Sequence, residues 1–387
     1  MAIEERTSTS WFSRIGGALT GGALGLVLVI GAIVALLWNE GRSVATYQSL
    51  KEGSAAVVST DAASVDPSLE GKLIHIQSDV TPNADVADPE TGITGAGAVG
   101  LARHVEMYQW VENESTKTEK KLGGSEEEVK TYSYKKEWTD VAVDSSTFKQ
   151  PQNEVNPAFW LPSSTTYVDV AMLGAFELSG EKLAGVAARN VHPISVDEAT
   201  AASEASGYPG EGRAVNGALY FGANEDAPEI GDTKITYEEL VLPEVSVVGM
   251  QNGTTISDYT TQNGRNLLLL AAGREPAQAM FASGQADNTT LTWLIRAGGI
   301  VALFIGFLLI FKIFSVLGDV IPIFGSMVGF TTGLVALILA LAIGVTVIAI
   351  GWFFVRPLLS IGVILGAAAI VLAYFKFGRK KAAAETV

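Results

Sequence analysis

The chain has no cysteine among its 387 residues. Disulfide staples and thiolate metal sites are therefore excluded, and an ordinary apolar core must hold the fold together. Histidine is almost as scarce, with only His75, His104 and His192, so a metal or acid–base site has few residues to draw on. Basic side chains are outnumbered, 26 against 41 acidic, for a formal charge of −15. Also lacking are the Gly-x-Ser-x-Gly elbow of hydrolases, the Gly-x-x-x-x-Gly-Lys loop that cradles phosphates, and the EF-hand calcium pattern. No apolar run carries an acidic residue at its centre, which argues against a proton-coupled transporter.

What the chain does have is apolar runs. Ile15–Trp38 is free of charge for about 24 residues, and a transmembrane helix needs roughly 20. Leu291–Leu317, Val328–Phe354 and Leu359–Phe375 are dominated by Leu, Ile, Val, Phe and Ala. The first run is too long for a signal-peptide core. It ends in Trp38-Asn39-Glu40-Gly41-Arg42 rather than in a small-residue cleavage site, so it reads as an uncleaved anchor. The fold class expected is an α+β membrane protein with four transmembrane helices, one N-terminal and three C-terminal, and a large β-rich extramembrane domain. The spans are placed at 15–38, 289–317, 328–354 and 359–375, the domain at 39–288, and the tails at 1–14 and 376–387.

The domain carries a net charge of about −20, which repels nucleic acid and leaves the lipid bilayer and other proteins as partners. Arg6 and Arg14 precede the first span, and Lys376, Arg379, Lys380 and Lys381 follow the last. Short basic flanks mark the cytoplasmic side, so both tails are expected there and the domain on the opposite face. Lys312 and Arg356 sit near span ends, where long side chains reach the headgroups. Gly325, Gly329 and Gly333 recur at a spacing that permits close helix packing, with Gly344 and Gly351 further along.

Within the domain, Lys72–Gln77 reads as a strand. Arg103–Glu112 alternates, with Arg103, Val105, Met107, Gln109 and Val111 on one face and His104, Glu106, Tyr108, Trp110 and Glu112 on the other. Thr131–Trp138 answers it, and Gly123-Gly124 lies between, predicting a long hairpin with a solvated tip. Thr233–Tyr237, Glu244–Met250 and Asn266–Ala271 are further strands. Ser195-Val-Asp-Glu198 is a capping box opening a helix that Gly207 ends, and Pro276 opens another that leads to the second span.

His104 and Glu106 share a strand face and could form a zinc or acid–base pair, but a third ligand is lacking and a hydrogen-bonded sheet face is the plainer reading. Asp85, Asp88 and Glu90 read as a solvated loop, and Glu126–Glu128 near Lys120-Lys121 as a solvated tip more readily than a docking point. The aromatics Tyr108, Trp110, Tyr132 and Trp138 read as core before they read as a docking face.

Arg103-His-Val-Glu-Met-Tyr-Gln-Trp-Val-Glu112 resembles the most distinctive segment of the transmembrane protein 43 (LUMA) family. Further matches follow in the same order: Asn39-Glu40-Gly41-Arg42, Tyr132-Ser133-Tyr134 with Glu137-Trp138, Asn156-Pro157, Gly231-Asp232, and Gly351-Trp352 with Arg356-Pro357-Leu358. The resemblance covers essentially the whole chain. It implies one N-terminal and three C-terminal spans and no catalytic residues or cofactor. Eukaryotic members lie in the inner nuclear membrane and endoplasmic reticulum, organise the nuclear envelope, self-associate, and bind lamins and emerin-type membrane proteins. This chain departs in its acidic, Ala/Gly/Thr-rich composition and in Phe354-Val355 before Arg356, and reads like a bacterial relative, resident in the cell membrane. The function expected is a non-enzymatic multi-pass membrane protein that forms homo-oligomers and organises membrane or envelope. The alternative is an extracytoplasmic enzyme or processing factor acting on a lipid or envelope substrate.

Overall fold

The computed structural model describes residues 3–150, 155–208, 210–319 and 322–353, together with 362, 365 and 366. The chain folds into two compact units, each assembled from distant segments. The first comprises Met1–Glu5, Ser49–Thr116 and Lys130–Gly284; the second comprises Arg6–Gln48, Lys117–Val129 and Gln285–Val387.

The first unit is built on two eight-stranded sheets. Its principal strands are β1 (Leu73–Asp79), β2 (Gly100–Lys120), β3 (Glu126–Thr139), β4 (Ala188–His192), β5 (Gly212–Val215), β6 (Ala218–Phe221), β7 (Thr233–Val241) and β8 (Glu244–Asn252). In the first sheet a strand at Ile3–Thr9 is followed by β3, β2, β7, β6 and β5, while β4 also pairs with β7 and Ser164–Tyr167 with β2. In the second, β8 lies antiparallel to β1 and also pairs with Thr255–Ser257 and Leu269–Ala272.

Alternation decides which face each strand buries. Along β2, Arg103, Val105, Met107 and Gln109 are buried while His104 is exposed, as the period of two predicts. Val105 joins Leu219, Phe221 and Ile235 from the first sheet and Ile74, Ile76, Val245 and Val247 from the second in one core. Each such side chain contributes about 1.5–3 kcal/mol by leaving water. On its other face the second sheet buries Leu73 and Val248 against Leu50, Leu267, Met280 and Phe281. Leu50 belongs to helix α1 (Trp11–Ala56), and Met280 and Phe281 to helix α3 (Ala277–Gly318). Helix α2 (Val196–Ser206) carries the expected capping box between Ser195 and Glu198 and ends at Gly207 in the left-handed conformation, φ 64°.

The hairpin expected from the alternation is present and longer than the apolar pattern alone suggested, with Gly123 and Gly124 at positive φ in its turn. Asn266–Ala271 is not one strand. Asn266–Leu267 pairs with Tyr259–Thr260 and Leu269–Ala272 with β8, so the chain changes partners at Leu268.

Among the described residues, the second unit contains three helices long and apolar enough to cross a membrane: α1, α3 and, within α4 (Pro322–Phe353), the segment Phe330–Gly351. α1 and α3 outrun the predicted spans because both continue as helix past the apolar stretch. Of the fourth predicted span only 362, 365 and 366 are described, each helical; the rest of it, the basic tail at 376–387, Arg356 and Pro357 lie outside the described residues. Val29, Ala32, Leu36, Leu303, Ala340 and Val347 pack at the centre of the helices. Glycine sets the approach of α1 to α3, since a Cβ on Gly25 would stand 2.6 Å from the Gly306 carbonyl oxygen. Of the glycines expected to permit close packing of the third span, the surroundings of Gly325 and Gly329 lie outside the described residues. Gly333 leaves 3.9 Å to Leu308, whereas a Cβ on Gly344 would stand 2.8 Å from Ile300.

Candidate functional site

The residues that drew attention in the sequence divide into a framework in the first unit and a polar joint in the second. Tyr108 and Trp110 lie on the outer face of the first sheet, half-buried, and neither belongs to the shared core. Of the aromatics expected in the core, Tyr132 is buried, whereas Tyr108, Trp110 and Trp138 form a half-buried outer layer because the odd-numbered side chains of β2 take the inward positions. Tyr108 packs on Trp138 at 5.4 Å, and Trp138 on Tyr220 at 6.1 Å. The Lys136 ammonium stands 5.0 Å over Trp110, and that of Lys234 5.0 Å over Trp138. Tyr132 is buried and donates to Glu5, while Tyr134 donates to Glu112 at 2.7 Å.

Two loops fasten this layer through the backbone of β2. Asn156 accepts from the Trp110 N–H at 2.8 Å and donates to its carbonyl at 2.9 Å. The Tyr108 N–H donates to the Asp232 carbonyl and the Tyr108 carbonyl accepts from Gly231, at 2.8 and 3.0 Å. Gly231 has φ 98°, and a Cβ there would meet Pro157 at 3.0 Å, so glycine suits both the turn and the contact. Asp232 also accepts from the Tyr220 hydroxyl at 2.6 Å. Asn156-Pro157 and Gly231-Asp232, far apart in sequence, are therefore the two clamps on the Tyr108–Trp110 segment.

The candidate acid–base pair is not brought together. His104 faces Glu238 at 3.3 Å and Glu106 binds Lys234 at 2.6 Å. Among the described residues no group of three or more His, Cys, Asp or Glu is arranged to hold a metal. An open groove of about 430 Å³ is lined by Trp138, Tyr220, Lys234, Glu225 and Asp226 among others, and neither His104 nor Glu106 lines it. His192, which carried no role in the sequence, bridges two carboxylates: Glu239 at 2.8 Å and Glu198 at 2.9 Å. Burial works against its charge, but the hydrogen bonds and charges of Glu239 and Glu198 outweigh it and raise its pKa above the usual histidine value.

Asp88 is not in a solvated loop. It is 4% exposed and faces Arg103, itself 1% exposed, with Nη1 at 2.6 and 2.5 Å from the two carboxylate oxygens. Glu90 completes the pairing at 2.8 Å, and its pKa is lowered chiefly by the Arg103 hydrogen bond. The Arg103 Nε–H donates to the Pro162 carbonyl at 3.1 Å. An arginine at an inward-facing strand position needs a buried counter-charge, which was the overlooked signal.

In the second unit, Asn39, Glu40 and Arg42 of α1 meet Asn288, Thr292 and Arg296 of α3. Glu40 takes Arg296 in a two-pronged pair, both contacts at 2.7 Å, and their side chains are 3% and 8% exposed. Arg42 donates to Asn39, Asn288 and Thr292, and Asn288 donates to the Ser43 carbonyl. α4 closes on the pair through Gly351, where a Cβ would stand 2.5 Å from the Glu40 Cγ. Gly351 is thus the family-type residue placed at the joint, and its neighbour Trp352 lies in the same helix. At the opposite end of α1 and α3, Asp319 is 1% exposed and takes both Arg14 and Lys120, the latter at 2.8 Å. Arg14 also donates to the Gly124 carbonyl and pairs with Glu126 at 3.1 Å, while the Trp11 indole donates to the Val316 carbonyl at 2.9 Å. The hairpin tip, expected to be solvated, is bound by these helix ends.

A family profile described as "Transmembrane protein 43" matches residues 107–357. The chain is 32% identical over 369 residues to "Transmembrane protein 43" of Mus musculus, covering 92% of this chain and 90% of that protein. It is 30% identical over 369 residues to the protein of that name in Homo sapiens, with the same coverage. To the "Transmembrane protein 43 homolog" of Drosophila melanogaster it is 27% identical over 353 residues, covering 89% of this chain and 91% of the relative. No solved structure matches.

Proposed function

Because the chain belongs to the transmembrane protein 43 family, we propose that it is a non-enzymatic multi-pass membrane protein that self-associates and organises the membrane or envelope in which it sits. The observation that supports this reading is the use the fold makes of residues 103–112. Arg103 is committed to Asp88, His104 to Glu238, Glu106 to Lys234, and the backbones of Tyr108 and Trp110 to the two clamps. A segment so fully engaged in holding a sheet builds a surface rather than a reacting centre. The Glu40–Arg296 pair and the close approach of Gly351 serve the same end, fixing three spans to one another. The basic residues Arg6, Arg14, Lys376 and Arg379 support a cytoplasmic position for both chain ends.

Measuring the particle mass of the full-length protein in mild detergent, at low concentration, tests the proposal. Several copies per particle are expected; a clean monomer in detergent and in lipid nanodiscs would overturn it.

A further inference from the structure

We propose that the edge of β4, Ala188–His192, is a docking surface on which a second copy of this chain lays its own β4 antiparallel, extending the first sheet from one protomer into the next. This rests on the self-association proposed above and specifies where it occurs.

β4 is paired on one side only. Its residues run antiparallel to β7 from Ala188 opposite Val241 to His192 opposite Tyr237, and among the described residues no strand lies on its other side. Ala188, Arg189, Asn190 and Val191 are exposed, and Val191 keeps 73% of its surface in contact with solvent. Alternate residues of an edge strand present unpaired N–H and C=O groups, and natural sheets protect such edges with lysine, proline, bulges, inward charge or a covering helix. Two other edges of this sheet show those devices, whereas Ser164–Tyr167, paired only with β2 among the described residues, does not. β5 is met by α2, whose Ser203 hydroxyl accepts from the Gly212 N–H at 2.8 Å, and the Ile3–Thr9 strand carries Glu4, Glu5 and Arg6. β4 contains no lysine, proline or carboxylate; its arginine, Arg189, is tied to Glu238 at 3.0 Å, and Pro193 stops the strand one residue past His192.

Charge favours a second copy at this edge over other parts of an acidic surface. The carboxylates beside β4 are already occupied: Glu238 holds Arg189 at 3.0 Å and His104 at 3.3 Å, while Glu239 and Glu198 share His192. A like-charged copy approaching here meets carboxylates already neutralised within the protomer. The strand is also self-complementary. A two-fold axis at Asn190 sets Arg189 opposite Val191 of the second copy and Ala188 opposite its His192, so the two arginines fall on diagonal positions and do not confront each other. All five residues are then paired in one register.

The absence of native cysteine makes the test direct. In the proposed register Asn190→Cys lies opposite itself, with Cα atoms about 4.5–5.5 Å apart, inside the range of about 4.4–6.8 Å that a disulfide spans. Full-length Asn190→Cys in native membranes, mildly oxidised, is expected to run as a dimer on a non-reducing gel, while Val215→Cys on β5 stays monomeric. Val191→Lys, which blunts the edge without touching the core, is expected to lower the particle mass in detergent while leaving the melting temperature unchanged. If the wild-type protein is assembled, yet Asn190→Cys fails to cross-link and Val191→Lys keeps the full mass, the docking edge is overturned and self-association stands. A monomeric wild-type protein would overturn both.

Discussion

Asp88→Asn removes one charge from the most deeply buried ion pair of the first unit and leaves the shape of the loop intact. Asn keeps the oxygen that accepts from the backbone N–H groups of Glu90 and Thr91, both at 3.0 Å, so the change reports on charge and not on turn geometry. Breaking a buried pair from one side costs about 3–5 kcal/mol, mostly because the partner is left charged and dry. Here Arg103 retains Glu90 at 2.8 Å, but that carboxylate is 49% exposed and its attraction is correspondingly screened. The residual cost is therefore placed at about 2–3 kcal/mol, just below that range. For a domain of this size each kcal/mol moves the melting temperature by about 2–4 °C, so a drop of about 4–12 °C is expected. Tryptophan fluorescence on heating in detergent reads it directly. Adding Arg103→Met should recover part of the loss, since an apolar side chain tolerates the site better than an unpaired guanidinium. A melting temperature within about 1 °C of the parent for Asp88→Asn alone would refute the reasoning.

Glu40→Gln strands Arg296 at the joint of the spans, so lower accumulation in membranes and partial rescue by Arg296→Met are expected; equal accumulation of single and double variants would show that the pair is not structural. Gly351→Leu drives a side chain into Glu40, and an overpacking cost of about 1–3 kcal/mol should appear as reduced detergent stability. Stability of the first unit should depend on pH in both directions. The raised pKa of His192 gives a contribution complete below the usual histidine value and lost as pH rises through the elevated one, while the lowered pKa of Glu90 and Glu198 gives one lost as pH falls through the depressed values. His192→Gln should flatten the alkaline limb of the melting profile and leave the share of Glu90 in the acid limb unchanged. In sealed vesicles Ser10→Cys and Ser125→Cys should react with an impermeant maleimide from the same side, because Arg14 binds the Gly124 carbonyl and shares Asp319 with Lys120, and that result would overturn the expectation that the whole 39–288 domain lies opposite the N-terminal tail; reaction from opposite sides would show that this contact does not form in the bilayer.

Strand alternation and apolar run length were legible because each depends on residues close together in the chain. The inward and outward faces of β2, the capping box of α2 and the long helices α1 and α3 all follow from local periods. Tyr132 is buried as its aromatic character suggests, but Tyr108 and Trp110 are not. Both faces of β2 carry large apolar groups, Val105 and Met107 on one and Tyr108 and Trp110 on the other, and composition alone favours the aromatics as core. The fold instead gives the inward positions to the smaller side chains and to Arg103, and leaves the rings to cover the sheet beneath Lys136 and Lys234.

Charged residues were the harder part, because a side chain's partner need not be near it in sequence. Asp88 looked like one acid in a polar loop until an inward arginine from β2 was set against it, and Glu40 looked like the polar edge of a span until Arg296, 256 positions away, reached it. Both cases share one rule that sequence does allow. An arginine on the buried phase of a strand or inside an apolar run demands a carboxylate, and the search should go to the acids whose own surroundings are least polar. By that rule Arg103 and Arg296 could have been marked as half of a pair before any fold was known. His192 falls outside the rule, since its two carboxylates are 6 and 47 positions away and only the pairing of β4 with β7 brings the farther one to it. It is at that same strand, whose neighbouring charges are already matched within one protomer, that the proposed second copy docks.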